Sequence, residues 1–243
     1  MIDLHGRHVL VTGASGRLGT AVCEALLAVG AHVLAAGRTR TRLSDLRASV
    51  GQHERLNVVE ADVTDAPRLE ALLEAAERRA PLDAAIHTVG AFRAGPLVDC
   101  SDEDLEILWQ TNVHGAALLL RGLLRRMIPR RQGTVVVVAS DAALRPSSPG
   151  AAFYGACKTA VLHLARSAAA EAAPAGVRVE VLCPGPLRTP ENEAAGLAAH
   201  MRLVSTREAA AAAVSLLGGS MRASHGSVIV LPATESADPT GFR

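Results

Sequence analysis

Short apolar segments alternate with segments of helical periodicity along the whole of this 243-residue chain. The apolar segments are rich in β-branched residues and predict strands at 8–12, 32–36, 56–60, 83–88, 134–139, 177–183 and 227–231. Helical periodicity covers 17–29, 40–49, 66–79, 102–127, 152–172 and 206–217. Strands that are apolar at nearly every position are expected when helices cover both faces of a parallel sheet. The pattern therefore predicts an α/β fold, a Rossmann-like doubly wound sheet of seven parallel strands with helices on both faces.

Composition predicts one domain over residues 1–243, because 49% of the residues are apolar and no shift in composition marks a linker. Only residues 232–243 are expected to form a loose tail. The net charge of +1 comes without a block of like charge, which argues against a nucleic-acid partner. No run reaches the roughly 18 apolar residues of a membrane helix, and no signal-peptide core is present, so we expect a cytoplasmic protein without membrane contact.

The cysteines of the chain predict buried, reduced thiols. Cys23, Cys100, Cys157 and Cys183 are scattered, and none belongs to a CxxC pair or to a histidine spacing that suits zinc. A thiol in such a setting usually packs as a small apolar side chain. We therefore expect no metal site.

A glycine-rich loop follows the first predicted strand. The residues are Thr12-Gly13-Ala14-Ser15-Gly16-Arg17-Leu18-Gly19, and a predicted helix comes next. Glycines at such a junction allow a tight turn and the close approach of a pyrophosphate, which then lies at the helix N-terminus. Three glycines alone are a weak motif, but at the first strand–helix junction they predict dinucleotide binding.

The end of the second predicted strand indicates which dinucleotide is bound. An NAD site normally has an acidic residue there for the ribose 2′-hydroxyl, whereas an arginine suits a 2′-phosphate. This chain has Ala35-Ala36-Gly37-Arg38 at that point and no acidic residue. The sequence therefore favours NADP(H) over NAD(H), with Arg38 on the 2′-phosphate and Arg17 in the glycine loop as a second contact.

The only tyrosine and the only lysine of the chain are four residues apart, at Tyr154 and Lys158. On a helix this spacing puts both side chains on one face. A cation near a phenol favours the phenolate, so we expect the pKa of Tyr154 to be lowered enough for proton transfer near neutral pH. The alternative from these two residues alone is a buried core tyrosine beside a solvated lysine.

Taken together, these motifs resemble the short-chain dehydrogenase/reductase family over almost the whole chain. Asp62-Val63 follows the third strand, where the family contacts adenine, and Gly90 follows the fourth. Pro184-Gly185, with Thr189 shortly after, follows the sixth strand, where the family contacts the nicotinamide. The resemblance also implies a catalytic set of Asn112, Ser140, Tyr154 and Lys158.

Three features depart from the family pattern. The glycine loop is TGxxGxxG and not TGxxxGxG, as in extended and atypical members. The family's NNAG motif is replaced by His87-Thr88-Val89-Gly90. The segment from Thr189 to Thr206, which corresponds to the substrate lid, is short and suggests a more open or smaller pocket.

The resemblance implies an oxidoreductase that transfers a hydride between NADP(H) and a small-molecule carbonyl or alcohol. Tyr154 would donate the proton, Lys158 would hold the ribose, Ser140 would bind the carbonyl oxygen, and Asn112 would interrupt its helix and hold a water. By the same analogy, the long helices would pair in a homodimer or homotetramer. Two other functions remain open: a cofactor-binding sensor or assembly subunit without activity, and an isomerase, dehydratase or cyclase that uses the same tyrosine.

The loops near Tyr154 predict the character of the substrate pocket. Phe92, Leu144, Phe153 and Leu187 suggest an apolar wall, while Arg93 and Arg145 are candidates for contact with an anionic substrate group, although exposed loop arginines are common. His87 and His114 have no evident carboxylate partner, and His87 is expected to fill the place of the missing asparagine.

Overall fold

A parallel sheet of seven strands, in the order β3-β2-β1-β4-β5-β6-β9, organises the computed structural model, which describes residues 3–199, 201–218 and 226–232. Two further short strands, β7 and β8, pair parallel in a separate small sheet. The strands are β1 His8–Thr12, β2 His32–Gly37, β3 Leu56–Glu60, β4 Ala84–His87, β5 Thr134–Val138, β6 Arg178–Pro184, β7 Leu187–Arg188, β8 Val204–Ser205 and β9 Val228–Leu231. The reversal of strand order beside β1 is the switch point of a doubly wound sheet, so the predicted fold class is confirmed.

Helices connect the strands on both sides of the sheet. They are α1 Arg17–Ala28, α2 Arg40–Ser49, α3 Ala66–Arg79, α4 Asp102–Leu108, α5 Gly115–Met127, α6 Ala152–Ala172, α7 Pro190–Ala194 and α8 Thr206–Ser215. The ranges predicted for α2, α3 and α6 agree with the structure at both ends. Side-chain caps fix several starts: Asp65 accepts a hydrogen bond from the Arg68 amide before α3, and Ser205 accepts one from the Glu208 amide before α8.

The predicted continuous helix over 102–127 is wrong in its middle. A π-helical turn, Trp109–His114, separates α4 from α5. Apolar periodicity does not detect this turn, because a single wider turn shifts the buried face only slightly. The sequence analysis also predicted no strand or helix in 187–205. The structure has β7, α7 and β8 there.

Alternate residues of the strands supply two separate cores, one on each face of the sheet. Val9 and Val11 of β1 pack with α1, α2 and α8, whereas Leu10 packs with α3, α5 and α6. The central strands are buried on both faces, as β4 and β5 show. Polar backbone can therefore open to a ligand only at the strand ends, where the chain leaves the sheet.

Two further expectations concern the whole chain. Among the described residues, no helix combines the length and the apolar composition that crossing a bilayer requires. Residues 233–243 lie outside the described residues, so the loose tail at 232–243 and the single domain over 1–243 stay predictions.

Ile86 provides a test of the two-sided core. It is fully buried in β4, between Val11 of β1 and Val136 of β5. We expect Ile86→Ala to lower the free energy of unfolding by about 2–5 kcal/mol, because the close-packed neighbours cannot collapse into the cavity. Urea denaturation of both proteins measures the difference.

The matched control is Val98→Ala, because Val98 is 91% exposed. We expect this variant to unfold within about 0.5 kcal/mol of the parent. Equal stability losses in the two variants would contradict the assignment of β4 to the centre of the sheet.

Candidate functional site

The glycine loop folds back onto the first turn of α1. Gly13 has φ +73°, a left-handed conformation that favours glycine. A Cβ atom added to Gly19 would lie 2.2 Å from the Gly13 carbonyl oxygen, so only glycine allows this contact. Gly16 caps the helix without a side-chain hydrogen bond. The first amide groups of α1 are therefore left for an external acceptor.

A cavity of about 190 Å³ opens beside this loop, beyond the carboxyl ends of β1 to β4. Seven of the predicted cofactor residues line it: Gly13, Ser15, Gly16, Arg38, Asp62, Val63 and Gly90. The sequence analysis missed eight others: Gly37, Thr39, Arg42, Ala61, Thr64, Thr88, Val89 and Thr111. Five of these, Gly37, Thr39, Ala61, Thr88 and Val89, lie within two residues of the carboxyl end of a strand, and that position is the signal that would have found them.

Arg38, Arg42 and Asp62 give the cavity its charged groups. Burial works to raise the pKa of Asp62, but hydrogen bonds from Thr64 and the charges of Arg38 and Arg68 outweigh it, so this pKa lies below its usual range. The Thr64 amide and hydroxyl donate to Asp62 Oδ1 at 2.9 and 2.7 Å. Asp62 is thus an ionised acceptor whose orientation Thr64 fixes.

Arg17 lies outside this cavity, contrary to its expected place beside Arg38. Its Nη2 is 2.8 Å from Glu191 Oε1 of α7, and this bond, together with hydrogen bonds from the Glu191 amide and Thr189, lowers the pKa of Glu191 to about 2. Both side chains are well exposed. The ion pair therefore joins the start of α1 to the segment that corresponds to the lid.

Leu18 and Gly19, the last predicted residues of the loop, are buried in the first turn of α1. The cofactor contacts predicted after β6, at Gly185 and Thr189, also form hydrogen bonds within the protein. The Gly185 amide donates to the Leu231 carbonyl at 2.7 Å, which fixes the chain just after Pro184. The Thr189 hydroxyl accepts from the Asn192 amide at 3.2 Å and so begins α7.

Tyr154 and Lys158 lie on the same face of α6, one turn apart. The Lys158 ammonium is 5.7 Å from the centroid of the Tyr154 ring. The Phe92 ring meets Tyr154 edge-on, with 4.9 Å between the centroids and 89° between the planes. The Ser140 hydroxyl lies beside Tyr154 and acts to lower its pKa. The structure therefore brings Ser140, Tyr154 and Lys158 together, as the sequence predicted.

Lys158 carries a deeply buried cation. Only 5% of the residue is exposed, and Nζ donates a long hydrogen bond of 3.4 Å to the Val138 carbonyl. Burial lowers the pKa of Lys158 to about 8, although Cys157 and Cys183 work in the opposite direction. The alternative of a solvated lysine is therefore wrong.

The expected lowering of the Tyr154 pKa is also wrong. Burial raises the pKa of Tyr154 above its ordinary value, the Ser140 hydrogen bond opposes this, and Asp141 and Cys183 raise it further. Desolvation of a phenolate dominates here because the side chain is mostly enclosed. Tyr154 is therefore a protonated phenol at neutral pH, able to give a proton.

Asn112 lies in the π-helical turn and replaces the hydrogen bonds that the turn disrupts. Its Nδ2 donates to the carbonyls of Leu108 and Ala91, at 2.9 and 3.0 Å, and its Oδ1 accepts from the Ala91 amide at 3.3 Å. The side chain thus ties the helix to the loop after β4. This loop contains Gly90, which lines the cavity.

His87 is a buried structural histidine. Its Nδ1 lies 2.7 Å from the Thr12 hydroxyl, which joins β4 to β1 at the start of the glycine loop. Burial lowers the pKa of His87 to about 3, and the nearby Lys158 lowers it as well. The ring is therefore neutral, which avoids a second positive charge close to Lys158.

Comparison with known proteins agrees with this geometry. The family model for short chain dehydrogenases matches residues 7–198. Oxidoreductase UcpA of Salmonella typhimurium is 31% identical over 196 residues, which cover 79% of this chain and 74% of UcpA. A 2-keto-3-deoxy-L-fuconate dehydrogenase of Xanthomonas campestris is 29% identical over 187 residues, covering 77% of this chain and 60% of that protein. The chain belongs to the short-chain dehydrogenase/reductase family and is an oxidoreductase of that class.

Solved structures support the same assignment. A short chain dehydrogenase/reductase family protein is 30% identical, superposes with a TM-score of 0.85, and is matched over 95% of this chain and 97% of its own. ElxO with bound NADP gives a TM-score of 0.85 at 23% identity, over 93% of this chain and 97% of its own. At that identity, the second likeness shows the fold alone.

The buried charge of Lys158 leads to a prediction about stability. Folding lowers the Lys158 pKa from 10.5 to about 8, so between these pH values the unfolded chain binds more protons and stability rises with pH. We expect Lys158→Met to raise the free energy of unfolding at neutral pH by on the order of 1–3 kcal/mol in protein without added cofactor. This advantage is full below the folded pKa and shrinks as the pH rises toward the unfolded value.

Urea denaturation at neutral and at alkaline pH measures this effect. Thr159→Ala is the matched control, because Thr159 is the next residue on α6 and is exposed. Its effect on stability should not depend on pH. The prediction is contradicted if Lys158→Met is less stable than the parent at neutral pH, or if its gain in the free energy of unfolding does not change with pH. Either result would show that burying the Lys158 ammonium has no electrostatic cost.

Proposed function

We propose that this protein is an NADP(H)-dependent reductase of small-molecule carbonyl compounds. The observation that carries the proposal is the meeting of a hydroxyl, a phenol and a buried ammonium, those of Ser140, Tyr154 and Lys158, beside a glycine loop. Membership of the family supports hydride transfer as the reaction class. The NADP bound by ElxO is in line with the choice of cofactor.

The residues around the cavity fit a phosphorylated dinucleotide. The pyrophosphate would accept hydrogen bonds from the free amides at the start of α1. Within the described ranges neither Arg38 nor Arg42 takes part in an ion pair, so both are available to a 2′-phosphate. Among the described residues, Lys158 has one long hydrogen bond, to the Val138 carbonyl, and ribose hydroxyls would complete its set of acceptors.

The other residues predicted to contact the cofactor would lie along the dinucleotide, from its adenine end to its nicotinamide. Asp62 and Val63 would meet the adenine end, and Gly90 lies between that end and Lys158. Pro184, Gly185 and Thr189 would border the nicotinamide. Arg17 would add a second contact to the 2′-phosphate if it exchanged its partner Glu191 for a phosphate oxygen.

The side chains near Tyr154 would divide the work of carbonyl reduction. Bound NADPH would supply the hydride. Tyr154 would donate its proton to the carbonyl oxygen, and its raised pKa suits a general acid that must be protonated before the reaction. Ser140 would hydrogen-bond the same oxygen as its negative charge grows. Asn112 would hold the helix and the loop at Gly90 in place and order a water near Lys158.

Tyr154→Phe tests the proton donor. The phenylalanine ring keeps the contact with Phe92, so we expect the affinity for NADPH to change little. Loss of the hydroxyl should lower kcat/KM for a carbonyl substrate by roughly 10²–10⁴-fold. Steady-state kinetics and NADPH fluorescence titration measure the two effects.

Thr159→Ala serves again as the control, because it removes a hydroxyl from the outer face of the same helix. It should leave kcat/KM within about twofold of the parent, as expected of a surface change. Full activity in Tyr154→Phe would contradict the proposed mechanism.

Arg38→Ala tests the choice of cofactor. Loss of a guanidinium from a 2′-phosphate should raise the Kd of NADPH by roughly 10- to 100-fold, in line with the strength of charge-assisted hydrogen bonds. The Kd of NADH should change little, since NADH has no phosphate there. Fluorescence titration with each cofactor gives both values.

Arg40→Ala is the matched control. Arg40 is two residues away, is exposed and pairs with Glu60 outside the cavity. Its loss should alter neither Kd appreciably. Equal weakening of NADPH and NADH by Arg38→Ala would rule out the 2′-phosphate assignment.

A further inference from the structure

Two arginines in the loops that the sequence analysis assigned to the substrate pocket are already paired with carboxylates. Arg93 Nε lies 3.1 Å from Asp104 Oδ1, and its Nη1 donates to the Phe92 carbonyl at 3.0 Å. Arg145 Nη2 forms a short contact with Asp141 Oδ2. The sequence offered both arginines as partners of an anionic substrate group. In the folded protein, each of them is neutralised by its own neighbour.

Two half-exposed side chains in these loops are apolar. Phe92 is 52% exposed although its ring is in contact with Tyr154. Leu144 is 48% exposed and follows the turn that begins at Ser140. Large apolar side chains that stay half exposed next to reactive groups indicate a ligand surface. The Phe92 face in particular suits an aromatic or other flat apolar group.

Asp141 makes the pairing with Arg145 difficult to exchange. Asp141 is buried directly after Ser140, and the Ser140 hydroxyl lies 3.4 Å from its Oδ1. A substrate carboxylate that bound Arg145 would have to share this guanidinium with Asp141 or displace Asp141 from it. Either arrangement sets a second negative charge close to the buried Asp141 carboxylate, and this is unfavourable.

We infer that the Tyr154 site takes uncharged carbonyl compounds with an apolar flank on Phe92, and that the Asp141–Arg145 pair is the specificity determinant that excludes their carboxylate analogues. This inference rests on the proposed function, because it names the substrate class of the same site. Asp141 acts on specificity through Arg145 and is a positioning residue. The chemistry remains the transfer of a hydride to the carbonyl carbon and of the Tyr154 proton to its oxygen.

The test compares 2-oxo esters with their free acids, and uses binding as well as turnover. The probes are methyl benzoylformate and methyl pyruvate, each paired with its acid, and the corresponding 2-hydroxy products for binding to the protein with NADP⁺. Calorimetry gives the Kd of each product, and NADPH oxidation gives kcat/KM of each ketone. We expect the esters to be preferred by roughly 100-fold over the acids in both measurements, and the aromatic ester to have the lower KM.

The Asp141→Asn variant tests the role of the pair. It keeps an acceptor for Ser140 but releases Arg145, so the ester-to-acid ratio should fall at least about tenfold. The double variant with Arg145→Ala should return the ratio to a high value, because no free guanidinium remains. Ratios cancel any general loss of activity. Phe92→Ala should raise KM for the aromatic ester more than for methyl pyruvate, with a smaller change in kcat.

The outcomes separate the inference from the proposed function. Binding of the ester products over the acids, lost in Asp141→Asn and restored in the double variant, supports the inference even if no ketone is reduced. Absence of turnover with that binding pattern would overturn the reductase proposal alone. Equal or tighter binding of the acids by the parent protein, no binding of either class, or a ratio that Asp141→Asn does not change would overturn the inference.

Discussion

Burial of the sheet on both faces is the constraint on which the rest of this structure depends. The central strands have no face open to water, and alternate residues such as Leu10 and Val11 are committed to different cores. Any group that must meet a ligand is therefore confined to the ends of the strands or to the helix termini above them. Gly13, Ala61 and Thr88 each follow directly on a strand, which is why three segments distant in sequence line one cavity.

Lys158 shows how this burial sets the electrostatics of the site. Burying an ammonium costs folding free energy. The titratable side chains around Lys158 are uncharged, so they add no further repulsion. His87 stays neutral because its pKa falls to about 3, and the pKa values of the Cys157 and Cys183 thiols are raised, so these side chains stay uncharged as well. The same enclosure keeps Tyr154 protonated. A site of this kind gives up folding stability for a cation and an acid held in fixed positions.

Local patterns predicted the elements of this fold well, because strands and helices are set by apolar periodicity and by residues near in sequence. The bounds of α2, α3 and α6, the glycine loop and the pair at Tyr154 and Lys158 follow from such patterns. The π-helical turn does not, since one wide turn barely alters the period. The Arg17–Glu191 pair joins residues 174 positions apart, and the pKa of Tyr154 depends on how completely the fold encloses it. Contacts and burial of that kind exist only after folding.

The arginines illustrate the same limit. With a single lysine, the chain has 24 arginines, so a guanidinium near the cleft carries little information by itself. What distinguishes one arginine from another is whether a carboxylate of the protein is already paired with it. Arg38 and Arg42 line the cavity and form no ion pair within the described ranges, so their charges are open at that end of the cleft. Arg93 and Arg145 are held by Asp104 and Asp141, and the end of the cleft near Tyr154 is therefore left to the apolar surface of Phe92. Arginine thus occurs at both ends of the cleft. Whether an arginine's charge is available to a ligand depends on whether a carboxylate of the protein is paired with it.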